Sequence, residues 1–430
     1  MKGEKQPRPQ RVAYPPVSLR PGREIPVRAG HPWIFSQAIS RPANAPPGAL
    51  VAVYSAVGDF LGIGMWNPAT TIRVRMIRGL EAAPAPDFFF ERFRELDALK
   101  RCAIAPDTTG YRAVQADADG LPGLIVDRYE SAIVFQIHTA GMDRLRREIV
   151  DGLLRFYQPA LLVERSDVAA RSREGLSDAP VIVHRGDAAR SVFFRERGVR
   201  FVADVVSGQK TGFYLDQRDT RCYAASLSSG KRILNLFCYS AAASVFAALA
   251  GARRIVSVDS SAPALALAER NFRENGIRVS DDRRVLLACE DVFEFLRRAR
   301  RQGDVFDLVI CDPPAFAKSQ QSVPAALEAY ARLNESCLRV LRRGGILISS
   351  SCSGRIGWTD FFDALRIAAG SAGRRARILA RWAQPVDHTD AVAFPEGGYL
   401  KNVAMEIIGI ANNDDAAVEE APDTLCTGGR

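Results

Sequence analysis

Short apolar runs alternate with helical patterns between residues 231 and 353, and this alternation limits the fold more than any other feature of the chain. Four runs have the length of single buried strands, and they are R-I-L-N-L-F (232–237), R-I-V-S-V-D (254–259), F-D-L-V-I-C (306–311) and G-I-L-I-S-S (345–350). Between them, residues 262–275 and 323–341 have the apolar spacing of helices. Strands that alternate with helices form a parallel sheet covered on both faces. We therefore predict a Rossmann-like α/β fold, in which ligands bind at the carboxyl ends of the strands.

Composition excludes several classes of protein. Hydrophobic residues make up 47% and charged residues 25% of the 430 residues, as in soluble globular proteins. No apolar run approaches the roughly 20 residues of a membrane span, and the basic, proline-rich N-terminus lacks the apolar core of a secretory signal. The eight cysteines form no C-x-x-C pair, so we predict reduced thiols, no metal and a cytoplasmic location. The net charge of +9 comes mostly from arginine and favours a polyanionic partner.

The chain is long for a single core, and we predict five segments. Short strands interrupted by Gly and Pro indicate a small β-barrel, which ends before a linker rich in Ala and Pro at 81–86. The segments are a disordered basic arm (1–15), a small β-barrel domain (16–82), a middle α+β domain (86–200), the Rossmann-like domain (201–410) and a disordered acidic tail (411–430).

The predicted barrel has a basic side. Arg20, Arg23 and His31 are its candidates for contact with RNA. Trp33 and Trp66 could stack on bases, but core packing is the more frequent role for such residues.

The turn after the first apolar run decides which cofactor the Rossmann-like part can hold. It consists of C-Y-S-A-A-A-S (238–244), which has neither the G-x-G-x-x-G of a dinucleotide site nor the pattern of a P-loop. S-adenosylmethionine has no phosphate, so a tight turn and a few polar groups are enough for it. Asp259 ends the second run, where a carboxylate can bind ribose. Asp291 lies in A-C-E-D-V (288–292), at the end of a further strand between the second and third runs, where a side chain could hold the adenine amino group. The candidate cofactor residues are Asp216, Asn235, Phe237, Ser240, Asp259, Asp291 and Asp312.

Another unusual stretch, Q-K-T-G-F-Y-L-D-Q-R (209–218), comes just before the Rossmann-like part. Gly208 and Gly212 would let the backbone approach a ligand closely. Lys210 is a candidate for contact with the substrate, and Asp216 is a candidate for contact with the cofactor.

Several motifs together resemble those of one family. They are L-R-P-G-R-E (19–24), H-P-W-I-F-S (31–36), G-D-F-L-G-I-G-M-W-N-P (58–68), Q-K-T-G-F-Y-L-D-Q-R (209–218), D-P-P-A-F-A-K-S (312–319), S-S-C-S-G (350–354) and F-P-E-G-G-Y-L-K (394–401). Over residues 17–410 the chain resembles the bacterial large-subunit (23S) ribosomal RNA (cytosine-C5)-methyltransferases that have an N-terminal PUA domain. The resemblance implies a class I methyltransferase fold, S-adenosyl-L-methionine as cofactor, 23S rRNA as partner and 5-methylcytosine as product. Similar enzymes often form homodimers.

Methylation of a carbon requires a nucleophile, because C5 of cytosine does not react unaided. A thiolate that adds to C6 makes C5 enamine-like and able to accept a methyl group. Cys352 follows the fourth apolar run, where the resemblance places this nucleophile. Asp312 would hold N3 or the amino group of the base, and Phe316 could stack on it. Many such enzymes use a second cysteine for product release, but Pro314 occupies that position here, and we expect Cys311 in the core.

The turn at 240–243 departs from the family, which has at least one glycine there. If the backbone has a positive φ, alanine costs about 1 kcal/mol or more, so weak or lost cofactor binding is one alternative. Two other functions stay open. One is methylation of an amino group, for which D-P-P suffices and Cys352 is dispensable. The other is a non-catalytic role in RNA binding or ribosome assembly.

Overall fold

The computed structural model describes residues 14–78, 84–187, 191–317 and 319–410. The predicted acidic tail lies outside these residues, as do nearly all of the predicted basic arm and part of the predicted linker at 81–86. Within the described ranges, no helix is both long and apolar enough to cross a membrane.

Six short strands and a short helix form the N-terminal module. They are β1 (Pro16–Leu19), α1 (Glu24–Arg28), β2 (Trp33–Phe35), β3 (Ile39–Arg41), β4 (Leu50–Tyr54), β5 (Phe60–Trp66) and β6 (Ile72–Met76). The strand order is β2-β6-β5-β4-β1-β3, and the sheet is barrel-like, as predicted. Val17, Val53 and Val74 form its core together with Trp66. Trp66 is 4% exposed, so it has the core role rather than a role in stacking on bases.

A five-stranded sheet and its helices form the middle part. These elements are α2 (Phe88–Ala103), β7 (Gly110–Gln115), β8 (Leu124–Tyr129), β9 (Ala132–Ile137), α3 (Ala140–Arg144), α4 (Arg146–Tyr157), β10 (Leu161–Glu164), α5 (Ala170–Arg173) and β11 (Ile182–Arg185). The strand order is β11-β10-β9-β8-β7. Phe89 and Phe93 of α2 and Leu153 of α4 are buried against the sheet, so one face of the sheet is covered by helices.

A hairpin of β12 (Val192–Glu196) and β13 (Val199–Ala203) follows the middle sheet. The ring of Phe194 lies 5.2 Å from Tyr129 of the middle sheet and 4.9 Å from Phe213, which precedes the Rossmann-like part. The hairpin therefore packs against both neighbours. The domain boundary that we predicted at residue 200 falls inside β13, and the division into 86–200 and 201–410 stays a prediction.

The last part of the chain is a seven-stranded sheet with helices on both faces. Its elements are α6 (Arg218–Ser226), β14 (Arg232–Leu236), α7 (Ala242–Leu249), β15 (Arg254–Asp259), α8 (Ala262–Glu274), β16 (Val285–Cys289), α9 (Val292–Gln302), β17 (Phe306–Cys311), α10 (Val323–Arg339), β18 (Leu341–Ser351), α11 (Trp358–Ser371), β19 (Arg374–Trp382) and β20 (Lys401–Ile410). The strand order is β16-β15-β14-β17-β18-β20-β19. The first five strands are parallel, which confirms the predicted α/β sheet, and β20 and β19 extend it in antiparallel pairing.

The apolar runs produce this sheet because both of its faces are covered. In β14, Leu234 and Leu236 belong to one core with Phe295 and Tyr330, whereas Ile233 belongs to the core on the opposite face. The strand order reverses between β14 and β17, since the chain runs out to β16 before it returns to β17. Reversal points of this kind open a crevice at the carboxyl ends of the strands.

Candidate active site

The crevice at the carboxyl ends of β14 and β17 contains a cavity of about 360 Å³. Its walls come from the loop 209–221, the turn after β14, the end of β15, and the D-P-P segment together with Cys352. The predicted site residues on these walls are Lys210, Asp216, Asn235, Phe237, Ser240, Asp259, Asp312 and Cys352. The fold thus brings residues more than 140 positions apart to one place.

The turn after β14 contains left-handed residues that are not glycine. Phe237, Tyr239 and Ala241 have φ values of 55°, 46° and 52°. The amide of Ala241 donates to the carbonyl oxygen of Cys238 at 2.7 Å, and that of Tyr239 donates to Asp259 Oδ2 at 2.8 Å. The positive φ that would make alanine costly therefore occurs at Ala241.

Asp259 has the capacity to bind further donors. Its Oδ2 accepts from Tyr239 and its Oδ1 accepts from the amide of Ser261 at 2.9 Å, so each oxygen keeps a lone pair for a ligand hydroxyl. Asn235 lies beneath the turn, where its Nδ2 donates to Ser244 Oγ at 2.8 Å.

Asp291 does not line the cavity. It is exposed, and its Oδ1 accepts from the amides of Phe293 and Glu294 at 2.9 Å and 3.1 Å, which caps the N-terminus of α9. This capping bond is a local interaction that satisfies amides with no partner inside the helix.

The loop before α6 places a charged pair at the cavity wall. Lys210 Nζ lies 2.6 Å from Asp216 Oδ2 and 4.2 Å from the ring centre of Tyr214, and Tyr399 donates to the same carboxylate oxygen at 2.8 Å. Burial alone would raise the pKa of Asp216, but the ammonium of Lys210 holds it well below its usual range. Asp216 Oδ1 is buried and has no hydrogen-bond partner in the described part of the chain. An acceptor left in this way suits a ligand that brings an N–H donor, such as an amino group.

Cys352 and Asp312 meet at the other wall. Cys352 follows β18, and its Sγ lies 3.9 Å from the carbonyl oxygen of Pro313. Burial, and then the charge of Asp312, raise the pKa of the Cys352 thiol to about 11. Burial, and then the charge of Asp216, raise the pKa of Asp312 to about 7. The cavity therefore holds a thiol beside a carboxyl group that takes up a proton near neutral pH.

A second thiol, which the sequence analysis did not assign to the site, also lines the cavity. Cys238 is 8% exposed, and burial, followed by the charge of Asp259, raises the pKa of its thiol well above the usual range. Cys311 lies in the core next to Cys337, as predicted. The two cavity thiols differ in surroundings, because Cys352 has Asp312 and Lys210 as charged neighbours.

Phe316 is not on the cavity wall. Its ring packs against Tyr330 with centroids 4.8 Å apart, and Ala315 lines the cavity instead. The half-buried ring of Phe316 thus packs against helix α10, and its stacking on a base stays a prediction.

The basic candidates of the N-terminal module do not line the cavity. Arg20 and Arg23 are exposed, and Arg20 Nε donates to the carbonyl oxygen of Ile39 at 3.2 Å. His31 contacts the segment before β20, where its Nε2 lies 3.4 Å from Glu396 and its ring lies 5.8 Å from Phe394. His31 thus lies at a contact between two parts of the protein.

Two tyrosines that the sequence analysis missed close the cavity. The rings of Tyr214 and Tyr239 meet edge to face at 5.4 Å, and the hydroxyl of Tyr239 accepts from the amide of Gln209 at 3.2 Å. Both lie inside the motifs already quoted, so their position next to the predicted turn and loop was the available signal.

Comparisons with known proteins agree with this geometry. A family model for S-adenosylmethionine-dependent methyltransferases matches residues 176–390, and a PUA-like domain model matches residues 17–78. A methyltransferase solved in complex with SAH superposes with a TM-score of 0.78 at 25% identity, covering 91% of this chain and 99% of that one. A protein from Streptococcus mutans assigned to the SAM-dependent methyltransferases has a TM-score of 0.77 at 25% identity, with the same coverage.

The fold, the cavity and these matches define an S-adenosylmethionine-dependent methyltransferase. The ribosomal RNA large subunit methyltransferase I of Vibrio cholerae is 38% identical over 397 residues, which are 92% of this chain and all of that protein. The protein of the same name from Vibrio campbellii is 38% identical over 91% of this chain and 99% of that protein. The chain belongs to the ribosomal RNA large subunit methyltransferase I family.

Proposed function

We propose that this protein methylates C5 of a cytosine in 23S rRNA, using Cys352 as a nucleophile. The observation that carries the proposal is that Cys352 and Asp312 lie on one cavity with the residues suited to the cofactor. The names of the relatives, which act on large-subunit ribosomal RNA, support rRNA as the substrate.

S-adenosylmethionine supplies an electrophilic methyl group when it is bound. Asp259 would bind its ribose hydroxyls, since both carboxylate oxygens retain a free lone pair. Asp216 Oδ1, a buried acceptor without a partner, would accept from its amino group. Asn235, Phe237 and Ser240 complete this wall.

In the first step, Cys352 and Asp312 act together on the base. The carboxylate of Asp312 takes the proton of the thiol, Sγ forms a bond to C6, and Asp312 passes the proton to N3 as the C5–C6 double bond moves toward the ring nitrogen. C5 thereby becomes enamine-like and able to bond to a methyl group. Loss of the C5 proton to a base and elimination of Sγ as a thiolate restore the C5–C6 double bond. The N3 proton would return through Asp312 to Sγ, which restores the neutral base and the free thiol.

The N-terminal module would hold the RNA outside the cavity. Its exposed Arg20 and Arg23 are suited to phosphate contacts, and Lys210 lies where the target strand would enter. The predicted homodimer stays a prediction.

The amino-group alternative has less support. Enzymes of that kind place an aromatic ring on the base directly after D-P-P, whereas here Ala315 has that place on the cavity wall and the half-buried ring of Phe316 packs against Tyr330. A purely non-catalytic role would leave the thiol and the acceptor of Asp216 without a use.

The first test is methyl transfer from labelled S-adenosylmethionine to 23S rRNA transcribed without modifications. We expect 5-methylcytosine in the digested product by mass spectrometry. A different methylated nucleoside would contradict the role of Cys352, and absence of both transfer and cofactor binding would favour the non-catalytic alternative.

The second test traps the adduct. RNA with 5-fluorocytosine at the target has no removable C5 proton, so the protein should stay covalently bound and migrate more slowly in a denaturing gel. Cys352→Ala should abolish the complex. Cys238→Ala is the matched control, because this second thiol lines the same cavity, and it should still form the complex. The assignment fails if Cys352→Ala still forms the covalent complex.

A further inference from the structure

Lys401 is a buried cation at the start of β20. It is 2% exposed, and its Nζ donates to the carbonyl oxygens of Ser353, Ile356 and Tyr399 at 2.7, 2.7 and 2.9 Å. No carboxylate of the described residues lies within ion-pair distance of it. A buried ammonium is costly unless a negative charge compensates it, so the place of Lys401 requires an explanation.

The carbonyl partners of Lys401 belong to the segment that carries the nucleophile. Ser353 directly follows Cys352, and Ile356 lies three residues further along the same loop. In the sheet, Lys401 pairs with Ser351, the last residue of β18. The backbone of Lys401 therefore pairs with the residue before Cys352, and its side chain binds the loop after Cys352.

We propose that Lys401 is the positioning residue of Cys352: it fixes the loop that carries the thiol, and it provides the buried positive charge that the thiolate requires. This inference rests on the proposed function of Cys352. The inference differs from the proposed function because it assigns a role to a lysine that is not among the residues lining the cavity.

The charges around Cys352 show why such a cation is needed. The titratable groups that act electrostatically on the thiol or on Lys401 are Asp216, Asp312, Lys210, Tyr214, Tyr330 and Asp360. Asp312 and Asp216 oppose the thiolate, whereas Lys210 already has Asp216 as an ion-pair partner. Burial lowers the pKa of Lys401 to about 8, and its electrostatic interaction with Cys352 counteracts that decrease. Lys401 thus remains mostly charged at neutral pH.

The test measures the reactivity of the thiol directly. Full-length protein is treated with iodoacetamide between pH 6 and 10, without RNA or cofactor, and the modified Cys352 is quantified by mass spectrometry. Lys401→Met has a similar length without the charge. We expect alkylation of Cys352 at pH 7.5 to fall at least about tenfold, because a rise of one pH unit in the thiol pKa reduces the thiolate that much. Lys401→Arg should restore part of the rate, and the exposed Cys289 serves as the internal control.

An unchanged rate of Cys352 alkylation from pH 6 to 10 in Lys401→Met, with S-adenosylmethionine binding retained, would overturn the proposal. Because the assay contains neither RNA nor methyl transfer, its result is independent of the proposed function. That function fails separately if Cys352→Ala still produces 5-methylcytosine.

A second measurement covers the case in which Lys401→Met does not fold. Cys352→Asp introduces a permanent carboxylate in place of the thiolate, and Cys352→Asn is its neutral counterpart. The chain has seven lysines, so NMR of carbon-labelled lysine can follow the titration of Lys401. We expect the titration midpoint of Lys401 to be at least one pH unit higher in Cys352→Asp. Equal midpoints in the two variants would show that the charges do not interact and would refute the proposal.

Discussion

Asp312 and Cys352 form a coupled pair at the scale of single residues. The pKa of Asp312 is raised to about 7 and that of Cys352 to about 11, in each case by burial first and by a neighbouring negative charge second. Between these values the pair holds one proton. The combination needed for addition to C6, a thiolate beside a carboxylic acid, also holds one proton, so it is in equilibrium with the dominant form over this range.

We therefore predict that the rate of adduct formation increases about tenfold per pH unit as the pH is raised toward 7, and that it stays constant above pH 7. Below pH 7 both groups bind a proton, and the doubly protonated pair cannot produce the thiolate. The measurement is the single-turnover rate of complex formation with 5-fluorocytosine RNA from pH 5.5 to 9. The Asp312→Asn variant should form the complex slowly, and its rate should show no inflection near pH 7. A wild-type rate that keeps rising steadily through pH 9 would indicate that the thiol titrates alone.

The turn between β14 and α7 is the element with the most backbone strain near the cavity. Three of its residues have left-handed φ without being glycine, and Ala241 is one of them. We predict that Ala241→Gly raises the free energy of unfolding by about 1 kcal/mol, since glycine removes the steric cost of positive φ. Urea unfolding measures this. Ala243→Gly, inside helix α7, is the control and should lower stability by up to about 1 kcal/mol. Equal losses in both variants would contradict the strain at Ala241.

Asn271 of α8 and Asn275, which directly follows the helix, connect it to β13. In the core, Asn271 Oδ1 accepts from the amide of Val202 at 2.9 Å, and its Nδ2 donates to the carbonyl oxygen of Ser240 at 3.0 Å. Asn275 also uses both amide atoms, but it accepts from the amide and donates to the carbonyl oxygen of the exposed Arg200. We predict that Asn271→Ala costs about 2–3 kcal/mol and weakens S-adenosylmethionine binding, because a buried amide loses its partner. Asn275→Ala should cost less than about 1 kcal/mol, since water replaces it. Thermal unfolding and calorimetric titration of the cofactor compare the two. Similar losses in both would mean that burial does not set the cost.

The strands that shape the cavity were predictable, but several side-chain positions were not. Both faces of β14, β15 and β17 are covered, so their sequences are apolar throughout and stand out. The antiparallel direction of β19 and β20 leaves no mark in an apolar pattern. Phe316 follows D-P-P at a plausible distance for stacking, yet the path of the backbone turns it toward Tyr330. The burial of Lys401 depends on three carbonyl groups from two loops, which no local pattern indicates.

At the scale of the whole molecule, the segment between β19 and β20 joins all three parts. Asp387 accepts from both terminal nitrogens of Arg218 and from the amide of Arg112 in β7, and its carbonyl oxygen accepts from Lys100 Nζ of α2 at 2.8 Å. All of these groups are buried. The middle sheet and the seven-stranded sheet are therefore connected by buried hydrogen bonds to Asp387, which itself forms a buried ion pair with Arg218.

We predict that Asp387→Asn lowers the free energy of unfolding by about 3–5 kcal/mol at pH 7, because the buried Arg218 loses the carboxylate that binds both of its terminal nitrogens and keeps only the more distant carboxylate of Glu196, at 3.7 Å. Burial alone would raise the pKa of Asp387, but His388 and Arg218 hold it well below its usual range. A carboxyl group with a lowered pKa stabilises the folded state above the pKa of the unfolded chain, about 4, and this stabilisation is lost on acidification. The difference in the free energy of unfolding between wild type and Asp387→Asn should therefore become smaller toward pH 3. Urea unfolding at pH 7 and pH 3 tests this. Asp363→Asn, in an exposed ion pair, should stay within about 0.5 kcal/mol of wild type. If the difference in the free energy of unfolding between wild type and Asp387→Asn does not depend on pH, the loss of stability does not come from the charge of Asp387.

The position of Trp33 has a consequence for how a nucleotide is selected. Its Nε1 donates to Asp117 of the middle part at 2.6 Å, and its ring lies 4.7 Å from Phe394. Arg75 lies over the same ring and forms an ion pair with Glu174. These contacts hold the N-terminal module in a fixed orientation against the rest of the protein. The distance from its exposed Arg20 and Arg23 to the thiol of Cys352 is then constant, so the protein can select a nucleotide by its distance from the bound RNA segment. Under the proposed function, lengthening the RNA between the part that Arg20 and Arg23 contact and the target would move the modified position by distance, and the original cytosine would be left unmodified.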